Sequence, residues 1–190
     1  MIVTTSLRAL AADVTRACRL AKELGAEYAP RQERPLAIML AEYHTSQLIV
    51  FEQGQPVAYQ GDSRFFFHRG MAELRILNFL RTGHDPMIKA MELSAGMSVL
   101  DCTLGLAADA LVAAFVAGDA GSVLGVEASP IVAALTRWGL RELQAADSDA
   151  RAQTKLAAGK IRVRNARHQD VLAELPDNSF DIVYFDPMFR

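Results

Sequence analysis

The chain has 190 residues, of which 51% are hydrophobic, and a net charge of −2 at pH 7. This length suits one standard domain, or a small domain joined to a medium one. No run of eighteen apolar residues is present, so the sequence predicts no membrane span. The N-terminal residues lack the basic stretch and apolar core of a secretion signal. We therefore expect a cytoplasmic protein in which Cys18 and Cys102 are reduced thiols.

Residues 1–85 are predicted to form a small N-terminal α/β domain that recognises the substrate. The apolar run 35–41 fits either a helix or a strand. The other predicted elements are a strand at 2–5, a helix at 7–24 that ends at Gly25, a hairpin of strands 47–51 and 56–60, and a helix at 71–81 that ends at Gly83.

From about Met91 the pattern becomes strand, glycine-containing turn and helix, which is typical of parallel α/β domains. We assign residues 86–190 to this second domain and place the boundary near residues 83–92. The predicted strands are 98–102, 122–127, 160–164 and 181–185, and the predicted helices are 107–117, 129–146 and 171–175. Residues 147–159 are predicted to be a polar connection, and the pattern leaves open whether part of it is helical.

The first strand of the second domain runs into a turn suited to a nucleotide-type cofactor. Gly105 in that turn lets the backbone approach a ligand closely. The free N–H groups at the start of the next helix suit a carboxylate, and Asp101 and Asp109 are candidate acceptors for an ammonium group. Glu127, which ends the second strand, is suited to the two hydroxyls of a ribose.

Other residues complete this predicted cofactor site. Asp170, after the third strand, could accept from an adenine amino group, while Gln169 and Ala128 would offer backbone contacts. The turn residues Thr103 and Leu104 belong to the same predicted site, with the Leu104 side chain against the adenine ring. An acid that ends the second strand also suits the ribose of NAD, so these residues do not choose between S-adenosylmethionine (SAM) and NAD.

The last strand is followed by Asp186-Pro187-Met188-Phe189, which we predict to be a catalytic turn. An exocyclic amine on a base is a poor nucleophile, because its lone pair is delocalised into the ring. Methyl transfer to it needs in-line positioning and acceptors for its hydrogens. Asp186 supplies a carboxylate, rigid Pro187 directs the neighbouring carbonyls, and Phe189 offers a stacking face. An NAD-dependent dehydrogenase has no use for this set.

The tripeptide Asp-Pro-Met also occurs upstream, at residues 85–87. There it precedes an amphipathic segment, so we predict that Asp85 is a helix N-cap and Pro86 the first helical residue. The tripeptide alone is therefore not diagnostic.

The second half of the chain resembles the bacterial small-subunit ribosomal RNA guanine-N2 methyltransferases, a class I SAM-dependent family. The resemblance covers about residues 70–190 and is carried by the stretches 99–110, 126–135 and 183–189. It implies a Rossmann-like sheet with the strand order 3-2-1-4-5-7-6. It also implies that the SAM site is lined by Ala108-Asp109, Glu127-Ala128, Gln169-Asp170 and Asp186, which favours Asp109 over Asp101 as the ligand-facing acid.

Two departures from the family pattern stand out. The family's first loop usually reads Ala-Gly-Leu-Gly-Arg-Asp, whereas residues 104–109 read Leu-Gly-Leu-Ala-Ala-Asp. A glycine and an arginine are therefore missing, at Ala107 and Ala108. Residues 1–70 also look different from the best-known enzyme of the family, so the RNA target does not transfer directly.

The sequence thus predicts a SAM-dependent methyltransferase that acts on an exocyclic amine, with guanine N2 of small-subunit ribosomal RNA as the favoured target. A small-molecule or protein amine as substrate, and a SAM-binding module without catalysis, remain alternatives. No Cys or His spacing suggests a metal. Because the resemblance implies three more strands after strand four, we expect these residues to be part of a longer chain.

Overall fold

The computed structural model describes residues 1–61, 63–145 and 152–187. The chain divides into two compact units, Met1–Phe67 and His68–Arg190. This division falls before the helix at Gly70–Thr82, whereas the sequence pattern put the domain boundary near residues 83–92.

The first unit contains a mixed five-stranded sheet. Its strands are β1 (Ile2–Thr5), β2 (Glu27–Tyr28), β3 (Gln47–Glu52), β4 (Gln55–Gln60) and β5 (Ser63–Phe65), in the spatial order β2-β1-β3-β4-β5. β1 pairs in parallel with β2 and β3, while β3 and β4 form the predicted antiparallel hairpin. Its helices are α1 (Ala11–Glu23) and α2 (Leu36–Glu42).

Two details of this unit differ from the sequence pattern. The first helix begins at Ala11 and not at Leu7, and Leu7 and Leu10 are 60% and 72% exposed. The apolar run that fitted either a helix or a strand is the helix α2, which buries Met39 against β1 and β3.

The second unit is built on a four-stranded parallel sheet, β6 (Ser98–Asp101), β7 (Ser122–Glu127), β8 (Ile161–Asn165) and β9 (Ile182–Tyr184). The spatial order is β8-β7-β6-β9. Numbered along the second unit, this is 3-2-1-4, the first part of the order that the family resemblance implies. The prediction of a Rossmann-like α/β core is therefore confirmed.

In the described part of this unit, the helices that accompany the sheet are α3 (Gly70–Thr82), α4 (Pro86–Met91), α5 (Ala108–Ala117), α6 (Pro130–Ala145), α7 (Ala152–Ala158) and α8 (His168–Glu174). The alanine-rich α5 is buried on most of its surface, because small side chains let the sheet and the helices α3 and α7 approach it closely. Asp85 caps α4 by accepting the N–H groups of Met87 and Ile88, as predicted.

Within the residues that the structure describes, no helix has the length and apolar character needed to cross a membrane.

Candidate functional site

The predicted site residues follow the carboxyl ends of the parallel strands in the second unit. In the sheet register, Asp101 at the end of β6 pairs with Tyr184 at the end of β9, and Glu127 at the end of β7 pairs with Asn165 of β8. Because parallel strands all end at the same edge, the loops that follow them meet there. This edge is where open α/β sheets bind their ligands.

The loop between β6 and α5, residues 102–107, lies at the centre of this edge. Gly105 has a φ of +52°, a left-handed conformation that glycine adopts without steric cost. Its N–H donates to Oε2 of Glu127 at 3.0 Å, and its carbonyl accepts from Oγ1 of Thr136 at 2.7 Å. The loop is therefore held from both β7 and α6.

Leu104 anchors the same loop by packing against strand β7. Its side chain is 4% exposed and lies against Gly125 of β7, where an added Cβ would come within 2.4 Å of Leu104 Cδ1. Glycine inside a strand often marks such a close approach. The structure therefore gives the Leu104 side chain a packing contact inside the protein, rather than the open face that stacking on an adenine ring needs.

Ala107, where the family pattern has a glycine, has a φ of +63°. An L-residue pays about 1 kcal/mol or more for this left-handed conformation. Ala107 is fully buried, so the packing of its methyl group offsets part of that cost. The loop thus keeps a glycine-like backbone although the glycine is absent.

Asp101 is a buried acid at the end of β6, with 2% of its surface exposed. Its Oδ1 accepts from the N–H of Thr103 at 3.0 Å. Burial, together with the nearby charges of Asp109 and Glu127, raises the pKa of Asp101 to about 6. A cation bound beside this carboxyl would favour its ionised form.

Glu127 uses both carboxylate oxygens to bind backbone. One accepts from Gly105, as described above, and Oε1 accepts from the N–H of Ser129 at 2.7 Å. Each carboxylate oxygen has two lone pairs, so Glu127 retains acceptor capacity for a ligand.

Asp109, in the first turn of α5, is held by two side chains from other elements. Its Oδ1 pairs with a nitrogen of the Arg75 guanidinium from α3, and its Oδ2 accepts from the Tyr184 hydroxyl at 3.0 Å. Burial, and next the charge of Asp109, raise the pKa of Tyr184 above its ordinary value, so the phenol stays protonated and donates.

The predicted catalytic turn lies beside the same loop. The N–H of Asp186 donates to Oγ1 of Thr103 at 2.8 Å, and the side chains of Asp186 and Pro187 are exposed. Phe185, directly before the turn, makes an edge-to-face contact with His168, with ring centroids 5.3 Å apart. Met188 and Phe189, the other two residues of the predicted turn, lie outside the described residues.

The remaining predicted residues surround the ends of β7 and β8. Ala128 is exposed, and its carbonyl accepts from Nδ2 of Asn165 at 3.2 Å. Gln169 and Asp170 lie in the first turn of α8, and both are exposed. The structure thus brings the predicted residues to one edge of the sheet in three hydrogen-bonded groups, which we call together the site network: Asp101-Thr103-Asp186, Gly105-Glu127 and Asp109-Tyr184-Arg75. Ala128, Gln169 and Asp170 border this network.

In chemical terms, this edge carries the acids Asp101, Asp109, Glu127 and Asp186, and the Arg75 guanidinium pairs with Asp109. Such a set favours ligands that carry positive charge and hydroxyl groups. Across residues 1–61, 63–145 and 152–187, no group of three or more His, Cys, Asp or Glu side chains is arranged to hold a metal ion.

Among the residues that contact this network, Arg75, Tyr184 and Gly125 were not predicted from the sequence. For Gly125, a glycine inside an apolar strand was an available signal of close backbone packing. Arg75 and Tyr184 are ordinary residues of an amphipathic helix and an apolar strand, so the sequence offered no comparable signal for them.

A parallel sheet in the order 3-2-1-4, with acids at its carboxyl edge, defines a Rossmann-like domain of the class I methyltransferase type. Its backbone agrees with the crystal structure of a SAM-dependent methyltransferase from Neisseria gonorrhoeae, with a TM-score of 0.68 and 21% sequence identity. That comparison covers 100% of this chain and 70% of the other one, and it supports the fold.

The chain belongs to the family whose model is described as "Putative SAM-dependent methyltransferase", which matches residues 32–190. It is 36% identical over 189 residues to the "Uncharacterized protein YpiP" of Bacillus subtilis, a match that covers 100% of this chain and 72% of that protein. SAM is accordingly the cofactor of this family, and the choice that the cofactor residues left open between SAM and NAD is decided.

A second relative is the ribosomal RNA small subunit methyltransferase J of Alteromonas mediterranea. It is 35% identical over 107 residues, which are 55% of this chain and 38% of the relative.

Proposed function

We propose that this chain transfers the methyl group of SAM to an exocyclic amine of a nucleobase, with guanine N2 of small-subunit ribosomal RNA as the favoured target. The observation that carries the proposal is the hydrogen bond from Asp186 to Thr103. It joins the Asp-Pro turn to the loop whose Gly105 binds Glu127. The methyl donor SAM and the amine that accepts the methyl group would therefore bind at the same edge of the sheet.

The described residues fit SAM at this edge. SAM carries an ammonium and a sulfonium cation, and the buried carboxyl of Asp101 and the acid Asp109 suit the cationic methionine end. Glu127 has spare acceptor capacity for the ribose hydroxyls. Gln169, Asp170 and Ala128, which border the network, would contact the adenine. When bound, SAM supplies an activated methyl group.

The role of the Asp-Pro turn is to position and stabilise the attacking nitrogen. The Asp186 carboxylate accepts a hydrogen bond from the amino group of the base, which orients that group and stabilises the positive charge that develops on it. The proton that the nitrogen releases on gaining the methyl group would pass to Asp186 or to water, and the other product would be S-adenosylhomocysteine. Pro187 limits the conformations of the turn, and Phe189 would stack on the base.

A ribosomal RNA target draws support from the relative in Alteromonas mediterranea, which matches 55% of this chain. A guanine inside a helix would have to be extruded from its stack to reach the exposed Asp186. We assign RNA binding to the N-terminal domain and, with ribosomal RNA as substrate, a cytoplasmic location to the protein.

The test is methyl transfer from SAM with a deuterated methyl group, using small-subunit RNA from a strain that lacks the gene. Digestion to nucleosides and mass spectrometry should show labelled N2-methylguanosine. Parallel reactions contain a metabolite extract, total protein, or RNA treated with nuclease. Labelled metabolites or peptides, with no labelled nucleoside, would contradict the RNA proposal and favour a small-molecule or protein amine.

A further inference from the structure

The guanidinium of Arg75 connects two carboxylates that belong to different helices of the second unit. Its Nε and Nη2 donate to the two oxygens of Asp85, at 2.9 and 3.0 Å. Its Nη1 donates to Oδ1 of Asp109. A bidentate pair of this kind fixes the plane of the guanidinium, which a lysine ammonium does not do.

Asp85 is a rigid anchor for this arginine. Its residue surface is 4% exposed, and its Oδ1 also accepts the N–H groups of Met87 and Ile88 at 3.0 and 3.2 Å, which caps α4. Hydrogen bonding to Arg75 lowers the pKa of Asp85 below its ordinary value. The upstream Asp-Pro-Met sequence is thus a helix cap, as predicted, and it also orients Arg75.

The other end of this chain of contacts reaches the predicted methyl-transfer turn. Asp109 binds Tyr184 through its second oxygen, and Tyr184 lies two residues before Asp186 in the sequence. Both oxygens of Asp109 are therefore held, one from α3 and one from the end of β9.

We propose that Arg75 is a positioning residue for the SAM site, which orients Asp109 and offsets its charge through a guanidinium anchored by Asp85. The proposal rests on the assignment of Asp109 to the SAM site under the proposed function. It also accounts for a departure in the first loop, where the family resemblance implies an arginine directly before the acid and this chain has Ala108. Arg75 brings a guanidinium to the same acid from another helix.

The test compares SAM affinity by isothermal titration calorimetry for the wild type, Arg75→Gln, Asp85→Asn and the double variant. Asparagine caps helices as well as aspartate does, so Asp85→Asn removes the charge while retaining an acceptor for the cap. Arg81→Gln is the matched control, because Arg81 lies on the same helix and donates to the side chain of the neighbouring Asn78, which is not a predicted site residue.

We expect Arg75→Gln to weaken SAM binding about ten-fold, Asp85→Asn to weaken it several-fold, and the double variant to match Arg75→Gln, because Asp85 acts through Arg75. Arg75→Lys should recover part of the loss, since lysine restores the positive charge but cannot form the bidentate pair with Asp85. Arg81→Gln should bind as the wild type does. Circular dichroism and the thermal midpoint establish that each variant is folded. If Arg75→Gln does not fold, the SAM affinity of Arg75→Lys is compared with that of the wild type instead.

Wild-type SAM affinity in folded Arg75→Gln, or in folded Arg75→Lys if only that variant folds, would overturn the proposal. Fully additive losses in the double variant would overturn the role of Asp85. These outcomes are separate from the proposed substrate. If the wild type binds SAM but methylates no RNA, the proposed function fails, and the calorimetric comparison still tests Arg75.

Discussion

The backbone N–H of Asp186 donates a hydrogen bond of 2.8 Å to the hydroxyl of Thr103. These residues are 83 positions apart in the chain, and the bond ties the turn after the fourth parallel strand to the loop after the first. The N–H of Thr103 in turn donates to the buried carboxyl of Asp101. The predicted acceptor turn and the predicted cofactor loop are thus one connected structure.

Removal of the Thr103 hydroxyl should lower the methyl-transfer rate more than the affinity for SAM. Thr103→Val keeps the shape of the side chain but removes the acceptor for Asp186, at a cost of about 1 kcal/mol, or about five-fold in kcat. Thr103→Ser retains the hydroxyl and is the control. The measurement is kcat alongside calorimetric SAM affinity, and an equal kcat for the valine and serine variants would contradict the positioning role.

Replacement of Asp101 by asparagine should stabilise the ligand-free protein near neutral pH. Because the folded pKa is raised to about 6, the favourable contribution of protonated Asp101 is complete below its unfolded pKa of about 4 and is lost as the pH rises through 6. Asparagine keeps the acceptor for Thr103 without the buried charge. The gain over the wild type should grow from about 1 kcal/mol at pH 4.5 to about 2 or 3 kcal/mol at pH 7.5.

Urea unfolding at the two pH values measures this difference. Asp119→Asn is the control, because Asp119 is exposed and its hydrogen bond with Lys160 lowers its pKa. Loss of this carboxylate should therefore lower the stability more at pH 7.5 than at pH 4.5, which is the opposite pH dependence. A stability difference between Asp101→Asn and the wild type that does not change with pH would refute the account of Asp101. Asp101→Asn should also bind SAM more weakly than the wild type, because a neutral amide does not form an ion pair with the ammonium group of SAM.

An alanine at Gly125 should destabilise the protein and weaken SAM binding together. The added methyl group would meet the Leu104 side chain at 2.4 Å, so Leu104 and the loop that it anchors must move. Overpacking of this kind costs about 1 to 3 kcal/mol. Gly159→Ala is the matched control, since a Cβ there would meet its nearest neighbour at an ordinary 3.4 Å.

Chemical denaturation and SAM titration of both glycine variants check this prediction. If Gly125→Ala were as stable as Gly159→Ala and bound SAM equally well, Leu104 would not be the anchor of the loop.

Glu127→Gln should weaken SAM binding at least about ten-fold. A hydrogen bond to a charged acceptor is worth about 1.5 to 3 kcal/mol, and glutamine lacks that charge. It also has one carbonyl oxygen, whereas Gly105 and Ser129 bind to different oxygens of Glu127. Glu174→Gln removes an exposed carboxylate that pairs with Arg164 and should leave SAM affinity unchanged. Equal affinities for the two variants would exclude Glu127 from the cofactor site.

The sequence predicted the core of the second unit well because its signals are local. Apolar strands, the Ser129-Pro130 helix start and the Asp85 cap each depend on a few neighbouring residues, and the structure contains them all. By contrast, an aromatic run such as residues 65–67 is by composition typical of a buried strand, whereas β5 is the last strand of its sheet and Phe65 is 40% exposed. Edge position depends on strand pairing, which local composition does not determine.

The Arg75 contacts could not be predicted for a related reason. Its two acidic partners lie 10 and 34 residues away in the chain, and α3 was assigned to the N-terminal domain. Which arginine reaches the first loop depends on how α3 packs on α5. The acids that follow the strands were predictable, because a parallel sheet brings its strand ends to one edge whatever the remaining packing.

The central claim is that Asp186 lies at the methyl acceptor and not at the cofactor alone. Its most direct test is transfer of tritium from labelled SAM to small-subunit RNA by the wild type and by Asp186→Ala, with SAM affinity measured for both. The account predicts that Asp186→Ala retains SAM binding within a few-fold and loses transfer by about 100-fold or more. Equal labelling of the RNA by the two proteins would contradict it.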